Sequence, residues 1–160
     1  MRIMGLDYGS KTIGVALSDE LLMTAQPLET IWRDRESKIR RTLVRLEELI
    51  RQYDVGLIVM GLPLNMDDTV GERAQATLDF RERLEQRVGL PVVLSDERLT
   101  TVEADSMLEQ MQIPRQERKQ WIDQVAAVII LREYMENHRK DINVRKEIKR
   151  RDVEGEHKKG

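Results

Sequence analysis

Apolar positions along this chain change their period in a regular way. Two apolar runs, Met4-Gly5-Leu6-Asp7-Tyr8 and Thr12-Ile13-Gly14-Val15-Ala16-Leu17, flank the turn Gly9-Ser10-Lys11. They predict a hairpin of two strands, over residues 2–8 and 12–18. Residues 24–31 add a third antiparallel strand, and Pro27 marks it as an edge or irregular one. From Ser37 to Tyr53 the apolar residues Ile39, Leu43, Leu46, Ile50 and Tyr53 are spaced for one face of a helix. Val55 to Met60 is a continuous apolar run, as in a strand buried on both faces. A loop from Gly61 to Thr69 precedes a helix over about Gly71 to Val88, with Leu78, Leu84 and Val88 in its buried stripe. Pro91 to Ser95 is the next buried strand, and the polar turn Asp96-Glu97-Arg98 follows. Thr100 or Thr101 can cap a short helix through Met111, and Pro114 begins a last one reaching about Asn137.

Three antiparallel strands, then alternating helix and strand, then two helices describe an α/β fold. The expected sheet has five strands of mixed direction, those at 55–60 and 91–95 parallel to the first, with helices on both faces. Residues 1–137 form one domain in this reading. Residues 138–160 are charged and without apolar periodicity, which predicts a disordered tail or a helical extension frayed at its start.

Composition narrows the chemistry. There is no cysteine, so disulfides, thiolate nucleophiles and cysteine zinc sites are excluded, which suits a reducing, cytoplasmic setting. The two histidines, His138 and His157, lie near or in the tail, leaving carboxylates to carry any metal chemistry. The longest strictly apolar run, Val125 to Leu131, is far short of a membrane span, and the N-terminal stretch does not read as a signal peptide. Net charge is −2, but residues 138–160 hold nine basic and five acidic side chains, so the body is distinctly acidic. An acidic body argues against charge-driven coating of nucleic acid, but not against basic residues focused at one cleft.

Three acids occupy settings that can bring them together. Asp7 shares a strand face with Ile3 and Gly5, and Gly5 leaves room for close approach. Glu97 lies just past the end of the 91–95 strand, where sites gather in α/β sheets. Asp123 sits on the last helix beside the small residues Ala126 and Ala127, which let that helix lie close to the sheet. Three converging carboxylates repel unless a cation sits between them; Mg²⁺ suits such a site and supports two-metal phosphodiester hydrolysis. Spacing alone leaves plainer readings open: Asp7 as a turn former, Glu97 paired with Arg98, and Asp123 paired with Lys119 along the helix.

These residues also carry a resemblance. The stretches are Gly5-Leu6-Asp7-Tyr8-Gly9-Ser10-Lys11 with Ile13-Gly14-Val15-Ala16, Gly61-Leu62-Pro63-Leu64-Asn65, Gly71 with Arg73-Ala74, Asp96-Glu97-Arg98-Leu99-Thr100-Thr101, and Lys119 with Asp123-Gln124-Val125-Ala126-Ala127. In that order and spacing the chain resembles the YqgF/RuvX family, with an RNase H-like fold and members linked to pre-16S rRNA processing. The resemblance implies that Asp7, Glu97 and Asp123 are an acidic triad for Mg²⁺ or Mn²⁺. It makes Lys11, Asn65, Arg73, Arg98 and Lys119 candidates for substrate contact. One departure is Thr12, where many members carry a basic residue.

The activity implied is metal-dependent cleavage of structured RNA, at the 5′ end of precursor 16S ribosomal RNA, by a monomer or homodimer without a nucleotide cofactor. A Holliday junction resolvase-like DNA endonuclease shares the chemistry. A non-catalytic nucleic-acid-binding or ribosome-associated module is a different class, disfavoured by the retention of all three acids. A nucleotide phosphate loop at Asp7 to Lys11, as in sugar kinases, needs a second domain for which this chain is too short.

Overall fold

The computed structural model of the protein describes residues 1–65, 67, 69–96 and 100–158, with only the backbone described at 100–102, 119–120, 144–146, 149 and 153–158. Its strands are β1 (Arg2–Tyr8), β2 (Thr12–Ser18), β3 (Ala25–Trp32), β4 (Val55–Leu62) and β5 (Val92–Asp96). They form one sheet in the order β3-β2-β1-β4-β5. β1 pairs antiparallel with β2 and β2 with β3, whereas β4 is parallel to β1 and β5 to β4. This is the five-stranded mixed sheet expected from the sequence. The register slips between Val15 and Ala16, opposite the segment of β3 that contains Pro27, consistent with an irregular edge strand.

Alternation along the strands sorts the core into two layers. On one face Met4, Leu6, Tyr8, Ile13, Val15, Ile58, Met60 and Val92 pack against α1 (Arg40–Gln52) and α2 (Glu72–Val88). α1 contributes Leu43, Leu46 and Leu49. The buried stripe of α2 runs through Ala74, Thr77, Phe80 and Leu84, so Leu78 lies at its margin rather than within it. α2 stops at Gly89, whose φ of 68° supplies the left-handed cap that donates its N–H to Glu85.

The other face carries Ile3, Ala16, Leu57 and Val59 against Ala127, Ile130 and Leu131 of α4 (Arg115–Asn137). The shorter α3 (Thr100–Gln110) meets α4 through Ala104 and Met107 against Ala126 and Ile129. Among the described residues, no helix is long and apolar enough to cross a membrane.

In the tail, for which the sequence left open disorder or a helical extension, α5 spans Arg139–Lys158. Its first turn is anchored, which sparse apolar content could not reveal. Ile142 is buried with Ile3, Leu22 and Met135, and its N–H bonds to the His138 carbonyl. Arg139 donates Nη1 to the Leu22 carbonyl at 2.9 Å, and the His138 ring stacks on Tyr134 at 4.1 Å. Beyond Ile142 every described side chain is exposed, a helical arm rich in good helix formers.

Candidate active site

Asp7, half-buried near the end of β1, lies directly across from Gly14 of β2. Paired residues share a face, so both look toward α4. α4 reaches the sheet only because that face lacks side chains. A Cβ at Gly14 would overlap the Asp123 carbonyl oxygen, and one at Gly5 would stand 2.8 Å from both the Ala127 carbonyl oxygen and the Leu131 Cβ. Two glycines on adjacent strands therefore cut the groove in which α4 lies, and the groove sets Asp123 over the residue that faces Asp7.

Two hydrogen bonds fasten the helix there. Thr12 donates its hydroxyl to Asp123 Oδ2 at 2.8 Å, and Gln124 Nε2 donates to Thr30 Oγ1 at 3.0 Å. Thr30 is the β3 partner of Gly14, so Asp7, Gly14 and Thr30 form one row across three strands beneath residues 123 and 124. The sequence singled out Thr12 only for lacking a basic side chain. Its role as an anchor for Asp123 appears once the β1–β2 register puts residues 12 and 14 on the face of Asp7.

The remaining candidates separate. Lys11 is exposed in the β1–β2 turn, with its carbonyl accepting the Arg33 N–H. Asn65 organises its own loop: Nδ2 donates to Thr69 Oγ1 at 2.9 Å and its N–H to the Thr69 carbonyl at 3.1 Å. Arg73 lies on the opposite sheet face, pairing with Glu36 at 2.7 Å and lying over the Tyr8 ring at 5.7 Å. Glu97 and Arg98 lie outside the described residues, as does the side chain of Lys119. Among the described residues no three acids form a metal-sized group. Of the three expected acids, Asp123 thus has its backbone over Gly14, the cross-strand partner of Asp7.

Two aromatic side chains near these residues in the chain are exposed. Trp32, the β3 partner of Thr12, is 68 % exposed, and Trp121, two residues before Asp123, is 43 % exposed.

Known proteins bear on the same region. A protein of Lachnospira eligens, named "Putative pre-16S rRNA nuclease", is 61 % identical over 140 residues, covering 88 % of this chain and all of that protein. Proteins of the same name from Lactobacillus acidophilus and Listeria innocua are each 52 % identical, over 88 % and 85 % of this chain and 100 % and 98 % of their own. Among solved structures, RuvC of T. thermophilus in complex with Holliday junction substrate superposes with a TM-score of 0.54 at 14 % identity, over 82 % of this chain and 90 % of that one. The fowlpox virus Holliday junction resolvase gives 0.54 at 15 % identity, over 86 % and 99 %. At such identities these two show the fold alone, which is RNase H-like. Residues 1–137 match the family described as "RuvX: Holliday junction resolvase", and the chain belongs to that family of nucleases.

Proposed function

We propose that the protein is a metal-dependent endonuclease that cleaves structured RNA, with 5′-end maturation of pre-16S ribosomal RNA in the cytoplasm as its task. The observation that supports this reading is the seating of Asp123 over Gly14, the strand partner of Asp7, with one Asp123 carboxylate oxygen bonded by Thr12. Two half-buried carboxylates drawn from a strand and a closely packed helix are a hard, all-oxygen donor set. That chemistry fits Mg²⁺ or Mn²⁺ and suits no softer ion.

Asp7 and Asp123 would hold the ion, with Glu97 as the third acid. When bound, a divalent ion there supplies Lewis-acid polarisation of the scissile phosphate and offsets the charge of the acids. The chain's own groups do the positioning. β1 and β2 give Asp7 a rigid base, and Thr12 keeps the Asp123 carboxylate from rotating. Lys11, exposed in the turn beyond Asp7, offers an ammonium to a substrate phosphate, and Arg98 and Lys119 are assigned the same task. Asn65 and Arg73 are assigned to holding the 65–71 loop and the first turn of α2, because their contacts are internal.

The test is cleavage of precursor 16S RNA beside a four-way DNA junction, with Mg²⁺ or Mn²⁺, by wild type and Asp7→Asn. Metal-dependent RNA cleavage that falls to background in the folded variant is the expected result. Cleavage of the junction alone would move the substrate to DNA. Metal-independent binding without cleavage of either would leave a binding module.

A further inference from the structure

On the far side of the β1–β2 turn from Asp7, the N-terminus of α1 borders a cavity of about 610 Å³. Five cations line it, Arg33, Lys38, Arg40, Arg41 and Arg83, against one acid, Asp34. Among the described residues none of the five is ion-paired. Glu36, the next acid along the chain after Asp34, is already engaged by Arg73 and Tyr8.

Arg33 is the unusual member. It is 8 % exposed, yet its Nε and Nη1 have no hydrogen-bond acceptor. Its remaining contacts are neutral: Nη2 donates to the Gly9 carbonyl, and the guanidinium lies 4.8 Å from the centre of the Tyr8 ring. A buried charge is normally paired, because removal from water is costly. Here no carboxylate forms an ion pair with it among the described residues.

The helix repeats the anomaly. α1 begins after Ile39, which has no side-chain cap, and its first turn carries no acid. Instead Arg40 and Arg41 stand at the positive end of the helix dipole, where cations are disfavoured. The first backbone N–H groups have no intrahelical acceptor, and the buried Thr42 Oγ1 beside them has no partner either. A helix N-terminus, a buried unpaired arginine and a ring of unpaired cations all call for the same ligand, an anion with several acceptor oxygens.

We infer that this cavity is a second phosphate site, gripping a backbone phosphate of the substrate strand that flanks the one at Asp7. The inference rests on the nucleic-acid reading above. Geometry favours a strand over a free anion: Arg33 bonds the turn at both ends, through the Gly9 and Lys11 carbonyls. A strand passing from Asp7 over Lys11 reaches the cavity by crossing that turn.

The experiment is binding of a labelled, structured precursor RNA to the full chain in EDTA over a salt series, so that cleavage is not needed. Arg41→Gln/Arg83→Gln removes two exposed cations and leaves buried Arg33 alone. Its dissociation constant should rise about tenfold, and the slope of log K against log salt should flatten by about one per lost contact. Arg51→Gln, an exposed arginine outside the cavity, is the charge control and should match wild type. Equal affinity and slope in the double variant and the control would overturn the site. Tight binding of inorganic phosphate or AMP, comparable to RNA and lost in the double variant, would overturn the strand assignment. Failure of metal-dependent cleavage would sink the nuclease reading while leaving the binding result to stand or fall by itself.

Discussion

Thr12 and Asp123, 111 residues apart, meet in a 2.8 Å hydrogen bond that joins the first hairpin to α4. The bond uses one carboxylate oxygen and fixes the plane of the other. Thr12→Val keeps the shape and removes the donor, so Asp123 should lose its orientation while the fold persists. In metal-dependent RNA cleavage the expected loss is about 10- to 100-fold, the usual cost of removing a group that orients a metal ligand. Thr12→Ser keeps the hydroxyl and should recover most of the activity. If Thr12→Val cleaves at the wild-type rate, Asp123 does not depend on this bond.

Gly14 carries a heavier structural demand. A methyl there meets backbone of α4, which cannot step aside as a flexible side chain would. Gly14→Ala should therefore lift α4 from β2 and cost about 3 kcal/mol, the upper part of the range for overpacking a core. Urea unfolding measures it. Cleavage should fall even where the variant is folded, because lifting α4 draws Asp123 away from Asp7. A stability within 1 kcal/mol of wild type, on the same overpacking scale, would show that the groove is looser than described.

Most of the fold was legible because each strand and helix carried its own period. The continuous run at Val55 to Met60 required a doubly covered strand, and it lies inside the sheet, between β1 and β5. Asp7 was legible from its position near the end of a strand with Gly5 behind it. Thr12 and Gly14 were not read as parts of the site, because their meaning depends on strand register and on which helix covers that face. Arg33 was invisible for a similar reason. A lone arginine after an edge strand looks like solvent-facing charge until Tyr8 and the Gly9 carbonyl are placed around it. The α5 anchor rests on one residue, Ile142, and a single apolar side chain makes no pattern.

Glu133 gives a pH signature in stability. Burial, and then the charges of Glu103 and Asp96, raise its carboxyl above the ordinary value of 4.5. The folded state thus binds this proton more tightly than the unfolded chain does. Its stabilising share is complete below about pH 4.5, is lost as pH rises through the folded value, and remains lost at pH 7. Glu133→Gln should be more stable than wild type at pH 7, by on the order of 0.5 kcal/mol for a half-buried group still screened by water, with the gap closing toward pH 4. A gap that widens on acidification would contradict the sign.

Trp32 and Trp121 are two large exposed rings, Trp32 across the strand from Thr12 and Trp121 two residues before Asp123 on α4. Water-facing indole beside a nucleic-acid site is suited to stacking on an unpaired base. Replacement of either by Ala should weaken RNA binding by about 1–3 kcal/mol per stacked base. Tryptophan quenching on titration with RNA in EDTA, followed in Trp32→Phe and Trp121→Phe, each of which leaves one indole, gives an independent readout. Unchanged affinity in both Ala variants would make the rings plain surface.

Ile142 tests the helical arm. It is 4 % exposed, among Ile3, Leu22 and Met135, and is the buried contact through which the described part of α5 meets the body. Ile142→Ala removes that anchor and should cost about 2 kcal/mol, the low end for such a truncation because the site lies near a helix start and can relax. Deletion of residues 141–160 removes Ile142 together with the exposed arm, so it should cost about the same and no more. A deletion far more damaging than Ile142→Ala would mean that the arm packs elsewhere. Hydrogen exchange separates the two outcomes: with Ile142→Ala, protection should fall through α5 and at Leu22, while β1 and α4 hold theirs.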